Sequence, residues 1–167
     1  MGTSTFSGPV RSLGGFIGMG PGMIVPMAVS TMTIDPVANG GKTTLVTYTG
    51  TGGVITLPII IPTGPTSNIG VVYDILFGAT VNAAGFKIIT GQVADLMVGM
   101  ISITSSGGSF TNFAPNGTSN RAMNLNGGTT GGIINSDVTI RAIAANKYQV
   151  SGQLFGTATF ATPFADS

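Results

Sequence analysis

No stretch of this chain keeps apolar residues on a helical period for three turns, and that absence limits the fold more than any motif does. Thr, Val, Ile and Gly run instead in short segments, broken by turn residues about every eight to twelve positions. Glu, a common helix filler, is missing, and Lys occurs only at Lys42, Lys87 and Lys147. Such spacing predicts an all-β fold, a single-domain β-sandwich or barrel of jelly-roll-like type.

The chain divides unevenly. Residues 1–22 read as an extended N-terminal arm, since Gly and Pro punctuation prevents a compact core there, and residues 23–167 read as the β domain. Within the domain, Met23 to Ile34 alternates loosely, offering Ile24, Met27, Val29 and Met32 to a core. Asp35-Pro36 and Asn39-Gly40-Gly41 form a turn region, and Lys42 to Thr49 is a strand. Val54 to Ile61 is a third apolar strand, ended by Pro62. Gly70 to Phe77 is apolar almost throughout, which predicts cover on both faces. Phe86 to Thr90 and Met97 to Thr104 follow as strands, with a short helical turn near Val93 to Val98 as an alternative. Residues 105–120 read as a long exposed loop, rich in Gly, Ser, Asn and Thr. Gly132 to Ile134 leads into Val138 to Ala142, then Tyr148 to Leu154 and Thr157 to Ala161, with a hairpin turn at Asn146-Lys147. About eight to ten strands and no helix are expected.

Composition bears on how such a fold stays in solution. At 167 residues the chain fits one domain, and it buries enough surface to fold without staples. It has no cysteine, so neither a disulfide nor a thiolate metal site is available. Charged residues make up 7% of the chain and the net charge is +1, against about 25% charged residues in an ordinary globular protein. Either partners cover much of the surface, or Thr, Ser, Asn and Gly hydrate it without charge.

The six basic residues are spread along the chain, and recognition of nucleic acid needs them clustered. The uncharged stretch from Ser12 to Ile34 is interrupted by Gly14, Gly15, Gly18, Gly20, Pro21, Gly22 and Pro26, which argues against a membrane-spanning helix. A secretory signal ending at Ala28-Val29-Ser30 is the rival reading, weakened by the Gly20-Pro21-Gly22 break in its apolar core. Phe6 stands where a myristoylation site needs Ser or Thr.

Little in the chain points to catalysis. His, Cys and Glu are all missing, which removes the usual acid–base and nucleophile–base pairs. The five Asp residues lie far apart, so a glycosidase pair is not indicated. Gly40-Gly41-Lys42-Thr43-Thr44 looks like the end of a phosphate-binding loop, but Pro36 replaces the required Gly and a strand follows in place of a helix. Asn116-Gly117-Thr118 fits a glycosylation sequon in Asn- and Thr-rich sequence where such triplets arise by chance, and no calcium-loop pattern occurs. A non-enzymatic protein without cofactor or metal is expected.

Three passages carry a resemblance. They are Thr5-Phe6-Ser7-Gly8-Pro9-Val10-Arg11-Ser12 with Gly14-Gly15-Phe16; Gly53 to Pro58 with Gly70-Val71-Val72-Tyr73; and Ala144 to Leu154 with Gly156 to Phe164. Together they resemble small structural proteins of tailed bacteriophages, of the cyanophage-like marine and freshwater kind, that look like head decoration (cement) proteins. Tyr148 stands where that family often has Trp. The resemblance spans both ends and part of the middle, but not residues 105–130. It implies a homo-oligomer, commonly a trimer, seated on the outer surface of a virion against the major capsid protein, with no nucleic acid or membrane partner. Phe6, Pro9, Arg11 and Phe16 in the opening, and Phe160, Pro163 and Phe164 in the tail, are the expected capsid or inter-subunit contacts. Core packing of a folded-back terminus is the competing role for the phenylalanines. The alternative function is a fibre or spike domain that binds a host glycan through the 105–130 loop with Phe110 and Phe113.

Overall fold

The computed structural model describes residues 24–157 and 159–167. The chain first winds back and forth between two sheets. β1 (Ile24–Met27) enters the first sheet and β2 (Thr31–Thr33) the second; the one-turn helix α1 (Pro36–Asn39) then returns it to β3 (Thr43–Val46) in the first. β4 (Gly53–Thr56), β5 (Val72–Phe77) and β6 (Phe86–Ile89) repeat the alternation. Neighbours within each sheet are therefore parallel: β1 on β3 on β5, and β2 on β4 on β6. Parallel neighbours need a crossover, usually a helix; here a strand of the opposite sheet supplies it.

β7 (Leu96–Gly99), β8 (Ile101–Ser105) and β9 (Phe110–Phe113) join the first sheet, and β10 (Ala122–Leu125) joins the second. β11 (Asp137–Ala144) and β12 (Lys147–Gly156) form a long antiparallel hairpin that fills the first sheet between β5 and β8, and β13 (Phe164–Ala165) ends the second sheet beside β10. The strand orders are β1-β3-β5-β11-β12-β8-β9, with β7 also on β12, and β13-β10-β6-β4-β2. The all-β sandwich is as the patterning predicts. Its jelly-roll likeness holds for the two layers and not for the strand path, because much of the pairing is parallel.

Alternation builds the core. Tyr73, Ile75 and Phe77 point inward from β5, Val138, Ile140 and Ala142 from β11, and Tyr148, Val150 and Leu154 from β12. Ile55, Phe86, Ile88, Met123 and Leu125 face them from the second sheet. Phe77 and Phe86 join the sheets edge to face, their ring centroids 5.5 Å apart.

Several elements differ from the sequence expectation, each for a local reason. In β5 one face is covered, not two: Tyr73, Ile75 and Phe77 are buried while Leu76 is 37% exposed. The apolar run from Val54 stops as a strand at Thr56, and beyond it Leu57 and Ile60 turn inward while Ile59 and Ile61 face out. Met97 to Thr104 is two strands, since Gly99 takes φ 110° and breaks the run. A single hydrogen-bonded turn forms at Val93-Ala94, Asp95 N donating to Gln92 O, but β7 already begins at Leu96 and no helix extends to Val98.

Residues 105–120 are not all loop: Ser105 closes a tight hairpin and β9 returns antiparallel on β8. The Asp35 to Gly41 turn holds α1, whose N-terminal amides at Val37 and Ala38 are capped by the Asp35 carboxylate. Residues 132–134, 157 and 159–161 carry no strand, and the closing strand is β13. Ile24 and Val29 are exposed; Met27 and Ile34 are the fully buried residues of that segment, and Met32 packs partly buried against the core. Among the described residues there are thirteen strands, more than the eight to ten expected.

Candidate functional site

Four of the five Asp carboxylates, all but Asp137, occupy structural posts. Asp35 caps α1, Asp74 accepts from the Thr139 hydroxyl at 2.8 Å, and Asp166 accepts from Ser119 Oγ and Asn120 Nδ2. Asp95 is fully buried; its Oδ2 accepts from Ile60 N at 3.0 Å and its Oδ1 from Gln92 Nε2 at 2.8 Å. That carboxylate pins the irregular segment after β4 to the start of β7. Tyr148 assists, its hydroxyl donating to Pro58 O at 2.6 Å. Burial pushes the Tyr148 hydroxyl pKa well above its ordinary value, with Tyr73 and Asp95 adding to the effect. Among the described residues no three acidic, His or Cys side chains gather as a metal site, and no helix is long and apolar enough to cross a membrane.

The predicted contact residues fall into two groups. Phe6, Pro9, Arg11 and Phe16 lie outside the described residues. In the tail, Pro163 and Phe164 are buried, Phe164 being 7% exposed, and Phe160 packs on the rim of the core. Met123↔Phe164 pairing draws the tail into the second sheet, and Asn124 N donates to Pro163 O at 2.7 Å. Phe164 therefore takes the competing role, packing in this chain's own core, while Phe160 stays partly exposed at its edge.

Two surface features stand out instead. One is a groove of about 710 Å³ between the β8–β9 hairpin and the 133–135 turn, lined by Ser105, Ser109, Ile134, Asn135, Phe155 and Thr157 among others. Among the described residues no charged side chain lines it. The other is an apolar end of the sandwich. Asn68 is buried, donates from Nδ2 to Ile59 O and accepts from Ile61 N, and Gly70 N donates to Ala142 O. These bonds tie together the backbones that carry Ile59, Ile61, Ile69 and Ile143, which are 36–50% exposed.

Sequence reasoning singled out Phe110 but missed Phe155 and these isoleucines. Phase was the available signal: Phe155 falls out of step with the inward set Tyr148, Val150 and Leu154. No family of known proteins, no curated protein and no solved structure matches this chain.

Proposed function

We propose that this protein is a structural component of a virus particle, a capsid decoration protein that stabilises the head by bridging major capsid subunits from outside. The observation that carries the assembling part is its surface. Large apolar side chains stand in solvent at Val37 (92% exposed), Val93 (73%) and Phe110 (68%), and at the isoleucine-rich end, on a chain with 7% charged residues. A monomer commonly spaces its surface with charge of both signs, whereas exposed apolar patches mark contact surfaces. The capsid assignment is supported by the three resembling passages. A two-layer β core suits a cover over gaps between capsid subunits, because it is rigid and presents an apolar end.

Co-sedimentation with undecorated capsids of the encoding virus tests the reading. Saturable binding at a fixed ratio per capsid subunit is the expected result, and absence of binding contradicts it. The same assay on a variant lacking residues 1–20 tests the arm separately: unchanged binding removes the arm as an anchor.

A second reading, a fibre or spike domain for a neutral host glycan, is favoured by the uncharged groove with Phe155 and its neighbouring hydroxyls. Screening the purified protein on a glycan array decides it, with binding to none counting against it.

A further inference from the structure

The open edges of the two sheets are not equivalent. At β1, Met27 O accepts from Thr47 N and Tyr48 N, so Met27 faces β3 and Pro26 faces outward, where it has no N–H to offer. β2 and β13 end the second sheet with three and two residues. The outer side of β7 is covered where Met97 N donates to Asn120 O. Among the described residues, β9 has none of these protections. Its sequence, Phe110-Thr111-Asn112-Phe113, holds no Pro and no charge, and Phe110, Thr111 and Asn112 are exposed. Natural edge strands usually carry a Lys, a Pro, a bulge or a covering loop.

The hairpin fixes which backbone groups are free. Ser105 N donates to Ser109 O at 2.9 Å, and in an antiparallel ladder the bonded pairs alternate. Thr111 and Phe113 therefore bond back to Ile103 and Ile101, while the amides and carbonyls of Phe110 and Asn112 point off the sheet. This outward set is self-complementary. With two copies related by a two-fold axis through Thr111, Phe110 of each lies opposite Asn112 of the other, and each such pair exchanges both backbone bonds. In that register the two Phe110 rings are diagonal neighbours on one face, a separation that aromatic side chains bridge.

We infer that β9 is a self-pairing edge that joins this protein to a second copy, antiparallel and centred on Thr111. The occupant follows from the strand's own properties. Between Ser105 and Phe113 there is no charge of either sign, so two copies meet without repulsion. The free donors and acceptors meet their complement in a reversed copy held in this register, and Phe110, the most exposed aromatic residue among those described, finds its own copy. The inference rests on the assembling reading but not on the capsid; among trimers the same contact links one trimer to the next.

Light scattering on the purified full chain and on Thr111→Lys and Thr111→Glu variants tests it. Thr111 is exposed, so neither change disturbs the core, and thermal melts confirm that each variant is folded. The wild-type mass is expected to double with concentration. Each variant should associate at least tenfold more weakly, because like charges then stand directly opposite, and an equimolar mixture of the two should recover association. Exchange of the Phe110 and Asn112 amides should also slow as wild-type concentration rises. If the wild type assembles and Thr111→Lys assembles equally well, the β9 contact is overturned while the assembling reading stands. A wild-type chain that stays single at every concentration overturns both.

Discussion

Tyr73 and Tyr148 enter the core from the strands on either side of β11, and their hydroxyls are treated differently. Tyr148 donates to Pro58 O, whereas the buried Tyr73 hydroxyl has no partner among the described residues. Removing a buried partner strands the other group, so Tyr148→Phe should cost about 1–3 kcal/mol in urea unfolding. Tyr73→Phe strands nothing and should change stability by less than about 0.5 kcal/mol or raise it; a large loss there would mean that its hydroxyl is bonded after all. Burial, with a contribution from Asp35, also pushes Tyr73 up to about 12. An unfolded tyrosine ionises near pH 10. Above about pH 10 the unfolded chain sheds a proton that the folded chain keeps, so stability is complete below that pH and falls as pH rises towards 12. The slope is about 1.4 kcal/mol per pH unit for each such tyrosine. Melting temperature should therefore drop between pH 10 and 12, together with the appearance of tyrosinate absorbance. A flat profile across that range would contradict the buried placement.

At the level of strands, β12 holds the first sheet together, with β11 on one side and β7 and β8 in succession on the other. Gly99 permits that succession: at φ 110°, a Cβ there would fall on Val150 O. Gly99→Ala should destabilise by about 3 kcal/mol, read from the denaturant midpoint, since both the backbone conformation and the contact oppose it. Phe164→Ala should cost about 3–5 kcal/mol as a core deletion, while the exposed Phe110→Ala should cost almost nothing in a dilute melt. Equal losses for the two would contradict the placement of the tail. Runs such as Lys42 to Thr49 and Tyr148 to Leu154 were legible because two-residue alternation marks a strand with one covered face. Interruptions and partners were not. Gly99 looks like any strand glycine until its φ is known, and β9 is hidden because Phe110-Thr111-Asn112-Phe113 has little buried surface to pattern it. The parallel winding of β1 to β6 leaves no trace in spacing, because turn residues record that the chain reverses and not which sheet receives it. The tail phenylalanines were recognised as apolar anchors, but the pairing of Met123 with Phe164 that places Phe164 in this chain's core is long-range.

For the whole molecule, the question is whether a sandwich with so few charges stands alone. A hydroxyl-coated surface, with threonines such as Thr31, Thr33 and Thr47 exposed, hydrates the sandwich without charge. It does not account for the Ile59, Ile61, Ile69 and Ile143 group in water. Assembly does, and it is common to the decoration reading and to the β9 contact. Sedimentation equilibrium of the purified chain, run upward through the micromolar range at physiological salt, tests that claim most directly. The account predicts a mass of two or more chains, with little response to added salt because the contacts are apolar and backbone-paired. A single-chain mass of 16.7 kDa at the highest concentration would contradict it.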